Sequence, residues 1–355
     1  MPEIVLAHDY LVQIGGAERV VAGWAEAFSA HTVVTLAYSP EGTFDAFRRL
    51  DVRSSIPRSL ATQVERLLPT LPSIAERTSV SGGDIALVST SGWAHRFDFK
   101  IPHVVYAHSP ARWLYAADDY RLRLSRFRRA GLRASTPLLR RGDLAAMRRA
   151  RAIVSNSVVT RDRMRSAYGL DSVIVNPPVE PVSRHPRRPA QDLPDEFVVV
   201  VARDRGYKNV VLAIDAARMA RLPIVIVGPG SERLHDPEQG IYGLGRVTDA
   251  ELCWVYREAS VVIGAGREDF GLTVIEAALE GTPAAAIEAG GYLETVRPGV
   301  NGFHAASETP EALATAILRA RGLDPDACRD WARGFSRDAH LARLGRVMEE
   351  VVHRV

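Results

Sequence analysis

The sequence predicts an α/β protein made of two Rossmann-like domains, each with a doubly wound parallel sheet. A chain of 355 residues, of which 46% are hydrophobic and 25% are charged, is long enough for two such domains with separate cores. Short apolar runs recur along the chain with helical stretches between them. These runs are apolar at successive positions instead of alternating, which is typical of strands buried on both faces of a parallel sheet.

The first domain is predicted over residues 1–180. Its strands are expected at the apolar runs 4–8, 32–37, 85–89, 104–108, 152–155 and 173–175. The first strand is followed by a helix whose apolar stripe contains Val20, Val21, Trp24 and Phe28. Repeated βα units of this kind predict a Rossmann-like sheet.

The second domain is predicted over residues 190–337, after a segment rich in proline and polar residues that follows Val179. That segment has no periodicity and is expected to be an exposed linker. Strands are predicted at 197–202, 223–227, 260–263 and 284–287, with helices such as 210–220 and 250–258 between them. The charged helix over 338–355 has no strand after it, so we expect it to pack back on the first domain.

Cysteine content and apolar run lengths favour a cytoplasmic protein. Only Cys253 and Cys328 occur, without CxxC spacing or paired histidines nearby, which argues against a disulfide framework or a zinc site. The first strand is not preceded by the basic and long apolar regions of a signal peptide. No apolar run approaches the roughly 18 to 20 residues needed to cross a bilayer.

Residues 121–151 form a strongly basic segment with eleven arginines and one acid, Asp143. Leucine and phenylalanine residues are interleaved with the arginines, so the segment is amphipathic as well as basic. Such a segment suits the surface of an anionic membrane or a phosphorylated acceptor, and a solvated arginine-rich face is the alternative. Nucleic acid is not expected as a partner, because neither stacking aromatics nor a nucleic-acid motif accompanies the arginines.

Gly15 and Gly16 lie between the first strand and the first helix. Backbone N–H groups at a helix N-terminus lack intrahelical partners and the helix dipole favours an anion, so a phosphate is expected there. A purely structural role in a tight βα turn is the alternative. The glycine spacing is not the GxGxxG of dinucleotide-binding proteins, which argues against an NAD-dependent enzyme.

Arg203 and Lys208 follow the first strand of the second domain. Ligands of open α/β sheets bind beyond the carboxyl ends of the strands. Two cations at this edge can hold a diphosphate and neutralise charge as a sugar bond breaks, and Arg205 competes for either role. A solvated basic loop is the alternative.

Glu268 and Glu276 are separated by seven residues and flank the start of a helix predicted from about Gly271 to Leu279. The helix is apolar almost all round, so we expect it to be buried together with Glu276. A buried carboxylate requires hydrogen-bond donors, and sugar or ribose hydroxyls are such donors. The backbone N–H groups of Phe270, Gly271 and Leu272 are expected to meet phosphates. A structural salt bridge or a helix cap is the alternative for one of the two carboxylates.

These motifs resemble, in order and spacing, the retaining glycosyltransferases of family 4, which have the GT-B fold of two Rossmann-like domains facing a cleft. The resemblance covers nearly the whole chain. It includes His8-Asp-Tyr-Leu, Gly15-Gly-Ala-Glu-Arg-Val, His108-Ser-Pro-Ala-Arg-Trp-Leu-Tyr, Ser155-Asn-Ser, Asn176-Pro-Pro-Val, Arg203 with Lys208, Gly243-Leu-Gly-Arg-Val, the Glu-x7-Glu pair and Gly290-Gly-Tyr-Leu-Glu.

The resemblance implies roles for single residues. Arg203 and Lys208 would bind the donor diphosphate, Glu268 would contact hydroxyls of the transferred sugar, and Glu276 would contact the ribose. His108, directly after the strand at 104–107, would face the donor sugar from the first domain. Other positions implied at the nucleotide-sugar site are Gly15, Gly16, Val247, Phe270, Gly271 and Leu272.

The resemblance also favours a donor. The stretch 108–115 is similar to bacterial mannosyltransferases that build surface polysaccharides, so GDP-mannose is the first expected donor and a UDP-sugar is the second. The family usually has Pro-Ser and small residues before the first glutamate, whereas this chain has Gly264-Ala-Gly-Arg267. Arg267 is therefore expected to pair with Glu268 or to reshape the sugar pocket.

No cluster of carboxylates or histidines has metal-ligand spacing, so transfer is predicted to be metal-independent, with the nucleotide sugar as substrate and no further cofactor. The resemblance implies retention of anomeric configuration by front-face attack, with a glycan or a lipid-linked molecule as acceptor. One alternative is a nucleotide-sugar epimerase or hydrolase on the same fold. Another is a non-catalytic subunit that binds a nucleotide sugar or a polysaccharide.

Overall fold

The computed structural model describes residues 2–67, 70–115, 126–202 and 209–353, with side chains described in these ranges except at 65–66, 112–113 and 126–134. The chain divides into two compact units. The first comprises Met1–Asn176 together with Leu341–Val355, and the second comprises Pro177–His340. Among the described residues, no helix combines the length and the apolar character required to span a bilayer.

The first unit alternates strands and helices, as the apolar runs predict. Its elements are β1 (Ile4–Leu11), α1 (Gly16–Ala27), β2 (Thr32–Tyr38), β3 (Asp51–Ser54), α2 (Leu71–Arg77), β4 (Ser79–Val80), β5 (Ile85–Thr90), β6 (Asp98–Phe99), β7 (His103–Ala107), α3 (Arg112–Tyr115), α4 (Arg126–Met147), β8 (Ala152–Ser155), α5 (Val158–Tyr168) and β9 (Val173–Ile174). The main sheet has the strand order β3-β2-β1-β5-β7-β8-β9, and every pair in it is parallel.

Both faces of this sheet are covered by apolar side chains. Leu6 of β1 belongs to the cluster that contains Trp24 of α1, whereas Ala7 belongs to a second cluster with Met147 and Met164. Successive residues of a strand point to opposite faces, so a strand buried on both faces must be apolar at each position. Burial of both faces of the sheet explains the uninterrupted apolar runs of the sequence.

A buried polar network fixes the carboxyl-terminal part of α4. Asp143, the only acid of this helix, accepts hydrogen bonds from the ring of His95 at 2.9 Å and from the Tyr168 hydroxyl at 2.8 Å. Burial alone would raise the pKa of Asp143, but these contacts and the Arg96 guanidinium hold it below its ordinary value. The network therefore anchors one side of α4, while Leu138 is 76% exposed on the helix.

The second unit repeats the same plan. Its elements are β10 (Val198–Val201), α6 (Val210–Met219), β11 (Ile224–Val227), β12 (Ile241–Gly245), α7 (Asp249–Glu258), β13 (Val261–Gly264), α8 (Leu272–Glu280), β14 (Ala284–Ile287), α9 (Tyr292–Thr295), β15 (Gly302–Ala305), α10 (Pro310–Ala320) and α11 (Pro325–Arg333). The parallel sheet has the order β12-β11-β10-β13-β14-β15. The prediction of two parallel-sheet α/β domains is confirmed.

The proline-rich segment that follows Val179 packs on the second unit in places, although the sequence predicts an exposed linker. Leu193 is buried in the core of that unit, and the Arg187 N–H donates to the Ala250 carbonyl at 2.9 Å. The guanidinium of Arg188 lies 5.4 Å from the ring centroid of Trp254. A segment without periodicity can be ordered by single anchors of this kind, which leave no pattern in the sequence.

The last helix, α12, spans Arg337–His353. Residues 341–355 belong to the first unit, where Leu344, Met348 and Val351 are buried in the same cluster as Trp24. The helix covers the sheet beside α1 because its buried residues recur every three or four positions.

Candidate functional site

In the first unit, polar side chains gather at the carboxyl end of adjacent parallel strands. His8 of β1 is paired in register with Ser89 of β5, and His108 comes directly after β7. The hydroxyl oxygen of Ser89 lies 2.9 Å from His8 Nδ1 and 2.8 Å from His108 Nε2. His108 is half-buried, and its carbonyl accepts a hydrogen bond from the Thr160 hydroxyl at 3.0 Å. The predicted histidine is thus held by neighbours on two sides.

Asp9 organises the loop that follows β5, a role that sequence reasoning missed. Its carboxylate accepts hydrogen bonds from the backbone N–H groups of Ser91 at 2.6 Å, Trp93 at 2.8 Å and Ala94 at 2.7 Å. Burial alone would raise the pKa of Asp9, but the adjacent His8 and these donors lower it below its ordinary value. The only sequence signal is an acid that directly follows the apolar run 4–8, although the strand itself continues to Leu11.

Gly15 and Gly16 lie where the sequence places them, at the start of α1. Gly15 is the N-cap residue and Gly16 is the first helical residue, and no side chain caps this helix. A Cβ atom on Gly15 would lie 2.4 Å from a carboxylate oxygen of Glu18, a contact that real Cβ atoms do not make. Gly15 therefore has a packing role beside Glu18, and anion binding at this N-terminus remains a prediction.

In the second unit, the loop between β13 and α8 presents the first glutamate. Glu268 is half-buried, and its carbonyl accepts a hydrogen bond from the Gly291 N–H at 2.8 Å. A Cβ atom on Gly291 would lie 2.2 Å from the Phe270 backbone, and one on Gly290 would lie 2.5 Å from the Glu268 carbonyl. The two glycines of Gly290-Gly-Tyr-Leu-Glu let the loops after β13 and β14 pack together, which fixes the backbone of Glu268.

The second glutamate differs from its prediction. The apolar surroundings predict that Glu276 is buried, but the structure leaves it half-buried, and its carboxylate accepts a hydrogen bond from the Tyr256 hydroxyl at 3.0 Å. The buried carboxylate of α8 is instead Glu280, which is 7% exposed and lies 2.7 Å from the Arg257 guanidinium. Glu276 is therefore oriented by a protein donor and keeps part of its surface open.

The Tyr292 ring packs against the loop between β13 and α8, and it occupies the space that a side chain at Gly264 or Gly271 would need. A Cβ atom would lie 2.8 Å from the Tyr292 ring if placed on Gly264, and 2.9 Å if placed on Gly271. Gly271 also has φ +90°, a conformation that favours glycine. Burial and the nearby charge of Glu268 raise the pKa of Tyr292 well above its ordinary value, so the phenol stays neutral.

The other residues predicted at the donor site lie in different surroundings. Arg267 pairs with Glu308 at 2.5 Å. Val247 is half-buried and packs against the core of the unit after β12. The Phe270 side chain lies in a small apolar cluster, whereas the backbone of residues 270–272 precedes and begins α8. Arg203 and Lys208 lie outside the described residues.

Among the described residues, no group of three or more histidine, cysteine, aspartate or glutamate side chains is placed to hold a metal ion. The free cysteines Cys253 and Cys328 are both buried. Metal-independent transfer stays a prediction from the sequence.

Two family models match the chain. The model described as Glycosyltransferase Family 4 matches residues 14–181, and the model described as Glycosyl transferases group 1 matches residues 183–333. The chain contains the two domains of a GT-B glycosyltransferase. The second match includes Glu268, Glu276 and the glycines that support their loop, and the first includes Gly15, Gly16 and His108.

Curated relatives of this chain include D-inositol 3-phosphate glycosyltransferases. That of Actinosynnema mirum is 29% identical over 289 residues, which is 70% of this chain and 66% of the relative. That of Catenulispora acidiphila is 30% identical over 237 residues, which is 58% of this chain and 56% of the relative. The match thus spans just under two thirds of the length of the first relative and little more than half of the second.

Solved structures show the same fold along almost the whole chain. Anabaena Alr3699/HepE in complex with UDP has a TM-score of 0.69 at 18% identity, covering 98% of this chain and 100% of that one. Sucrose-phosphate synthase from Thermosynechococcus elongatus has a TM-score of 0.69 at 20% identity, covering 99% of this chain and 100% of that one. The predicted GT-B fold is confirmed.

Replacing Gly264 by alanine is expected to destabilise the second unit. The added Cβ atom must displace the buried Tyr292 ring or Ala286, and overpacking of this kind costs about 1–3 kcal/mol. Gly322→Ala is the matched control, because a Cβ atom there meets nothing within 4 Å. Equilibrium urea unfolding measures both variants. An equal free energy of unfolding for Gly264→Ala and Gly322→Ala would contradict the packing described.

Proposed function

We propose that this protein is a retaining, metal-independent glycosyltransferase that moves a sugar from a nucleotide sugar to an acceptor hydroxyl. One observation supports the proposal above others. Glu268, Glu276 and the N-terminus of α8 lie on one loop and helix at the carboxyl end of β13, where ligands of parallel sheets bind. Both glutamates are partly exposed and therefore accessible to a ligand.

The parts of the second unit suit the parts of a nucleotide sugar. The first backbone N–H groups of α8 have no intrahelical acceptor, and they favour a phosphate together with the helix dipole. Glu276 accepts a hydrogen bond from the Tyr256 hydroxyl, and a carboxylate offers about four acceptor sites, so it can also accept from ribose hydroxyls. Glu268 is proposed to accept from hydroxyls of the sugar, and Arg203 and Lys208 to neutralise the diphosphate.

Transfer is proposed to proceed on one face of the sugar. The acceptor oxygen forms a bond to the anomeric carbon as the bond from that carbon to the donor phosphate oxygen breaks. The acceptor proton passes to the departing phosphate, so the products are a glycoside of unchanged configuration and a nucleoside diphosphate. Cations and helix N–H groups stabilise the negative charge that develops on the leaving group.

Two donors have support. The similarity of residues 108–115 to bacterial mannosyltransferases favours GDP-mannose, and the complexes of Anabaena Alr3699/HepE with UDP and with UDP-glucose favour a UDP-sugar. We propose GDP-mannose as the first donor. The acceptor is proposed to be a glycan or a lipid-linked molecule, and the name of the curated relatives adds D-inositol 3-phosphate as an acceptor to be tested.

The melting temperature of the wild type is measured with GDP, UDP, ADP and TDP and with their sugars, without added metal. The nucleotide of the true donor is expected to raise it. Ligand at about 100 times its Kd stabilises the folded state by about 2.7 kcal/mol. Glu276→Gln and Tyr256→Phe should each reduce the shift. The first replaces the carboxylate that accepts from ribose hydroxyls, and the second removes the hydrogen bond that orients that carboxylate. Glu258→Gln, an exposed carboxylate on α7, should leave the shift unchanged.

Analysis of the products formed from the same nucleotide sugars separates the alternatives. A shift with one nucleotide and release of free sugar without an acceptor product would favour a hydrolase, and interconversion of the sugar an epimerase. Binding without any turnover would favour a non-catalytic subunit. No shift at millimolar concentration of any nucleotide would contradict the proposed donor site.

We also propose that the basic segment 121–151 binds an anionic membrane at its cytoplasmic face. Residues 121–125 lie outside the described residues. In the described part, Leu138 is 76% exposed, and Arg141 and Arg148 are exposed as well. An apolar side chain among cations suits the interface of an anionic bilayer.

Reversing two of these charges is expected to weaken vesicle binding. Each basic residue near an anionic surface contributes about 1 kcal/mol, so Arg141→Glu with Arg148→Glu should strongly reduce flotation with phosphatidylserine vesicles at low salt. The same reversal at Arg343 and Arg346, two exposed arginines of α12, controls for net charge. Wild-type protein that ignores the vesicles, or equal loss in both double variants, would contradict the proposal.

A further inference from the structure

A line of buried polar side chains extends from His108 into the first unit. Ser89 contacts His108 Nε2 on one side and His8 Nδ1 on the other, and His8 and Ser89 are 3% and 0% exposed. Beyond His8, a carboxylate oxygen of Glu18 lies 3.9 Å from His8 Nε2, and the side chain of Glu18 is 4% exposed. The line therefore joins α1, β1, β5 and the end of β7.

The Glu18 carboxylate is ionised at neutral pH. Burial alone would raise its pKa, but the contact with His8 and the hydrogen bond from the Gln13 amide at 2.9 Å lower the pKa below its ordinary value. A buried carboxylate requires such partners, because an unpaired charge is costly away from water. Gly15 keeps the space that this carboxylate occupies.

Each ring nitrogen of His8 faces an acceptor. Nε2 faces the Glu18 carboxylate, and Nδ1 lies 3.3 Å from the Ser89 carbonyl as well as 2.9 Å from its hydroxyl. A carbonyl only accepts, so the contact with the Ser89 carbonyl is satisfied when Nδ1 of His8 bears a proton, and the Glu18 carboxylate beside Nε2 is likewise an acceptor. The Ser89 hydroxyl then accepts from His8 and has its single proton left for His108 Nε2.

We infer that Glu18, His8 and Ser89 are positioning residues that form a relay, in which the Ser89 hydroxyl donates to His108 Nε2 and the proton of His108 is held on Nδ1. The inference rests on the proposed role of His108 in sugar transfer. A protonated Nδ1 is a hydrogen-bond donor, the property needed for contact with a sugar oxygen. Nε2, occupied by Ser89, does not take the acceptor proton, which agrees with proton transfer to the donor phosphate.

Other titratable groups lie close to the two histidines. Asp9 adjoins His8 in β1, and its carboxylate is satisfied by the loop after β5. The ring of Tyr106 in β7 lies 5.2 Å from that of His108, and its hydroxyl donates to the Val175 carbonyl at 2.8 Å. Burial raises the pKa of Tyr106 well above its ordinary value, so this phenol stays neutral. Glu18 is the carboxylate in contact with the ring of His8.

Long-range proton–nitrogen NMR of the ten histidines reads the relay directly. The signals of His8 and His108 are assigned with His8→Gln and His108→Gln. In the wild type, His108 is expected to bear its proton on Nδ1, and Nδ1 of His8 is expected to bear a proton as well. Ser89→Ala and Glu18→Gln should each move His108 toward the Nε2–H form, because the donor to Nε2 is lost or turned away. Glu26→Gln, an exposed change on the same helix, should not.

The same variants give a kinetic readout. Ser89→Ala and Glu18→Gln are expected to lower kcat about 10- to 100-fold, by analogy with the loss seen for residues that orient metal-bound histidines, with nucleotide affinity unchanged. Melting temperatures near that of the wild type confirm that the variants fold. A wild-type His108 protonated on Nε2, or an unchanged tautomer in both folded variants, would overturn the relay. An unchanged kcat in both variants would overturn their positioning role. If no donor supports transfer, the proposed function fails, and the tautomer still tests the relay.

Discussion

Parallel strand register is the constraint on which the candidate site depends. His8 lies beside Ser89 because β1 and β5 are paired in register, and β7 brings His108 to the same end of the sheet. These residues are 81 and 19 positions apart in the chain, and hydrogen bonds of 2.9 and 2.8 Å join them. In the second unit, adjacent β13 and β14 likewise bring the loop of Glu268 against Gly290 and Gly291. The polar side chains of the candidate site lie toward the carboxyl ends of the strands because apolar residues occupy the strand interiors.

Close packing at these strand ends depends on glycine and on buried hydrogen bonds. Tyr292 leaves room only for hydrogen at Gly264 and Gly271, and the Glu18 carboxylate does so at Gly15. Asp9 holds the loop after β5 through three backbone N–H groups, which makes the loop a rigid support for its neighbours. Preorganised loops of this kind keep catalytic groups in place, so that little reorganisation is needed when substrate binds.

The fold follows from the sequence more completely than the site does. Apolar runs such as 104–108 predict the strands, because a sheet covered on both faces requires apolar residues at successive positions. Motif spacing selects Gly15, His108 and Glu268 as candidate site residues. Contacts between distant residues leave no such pattern. The sequence places Glu276 in the interior, whereas the structure buries Glu280, because the position of an ion partner, Arg257, decides which carboxylate can be buried. Glu18 stands in a motif of the sequence, but its contact with His8 does not follow from that motif, since His8 lies in another element.

The stereochemistry of the product tests the central claim most directly. The nucleotide α-sugar that binds the protein is incubated with candidate acceptors, among them D-inositol 3-phosphate, and proton NMR reads the anomeric configuration of the first product formed. Retaining transfer predicts an α-glycoside and one nucleoside diphosphate released for each glycoside. A β-glycoside, or release of nucleotide with free sugar as the sole product, would contradict it.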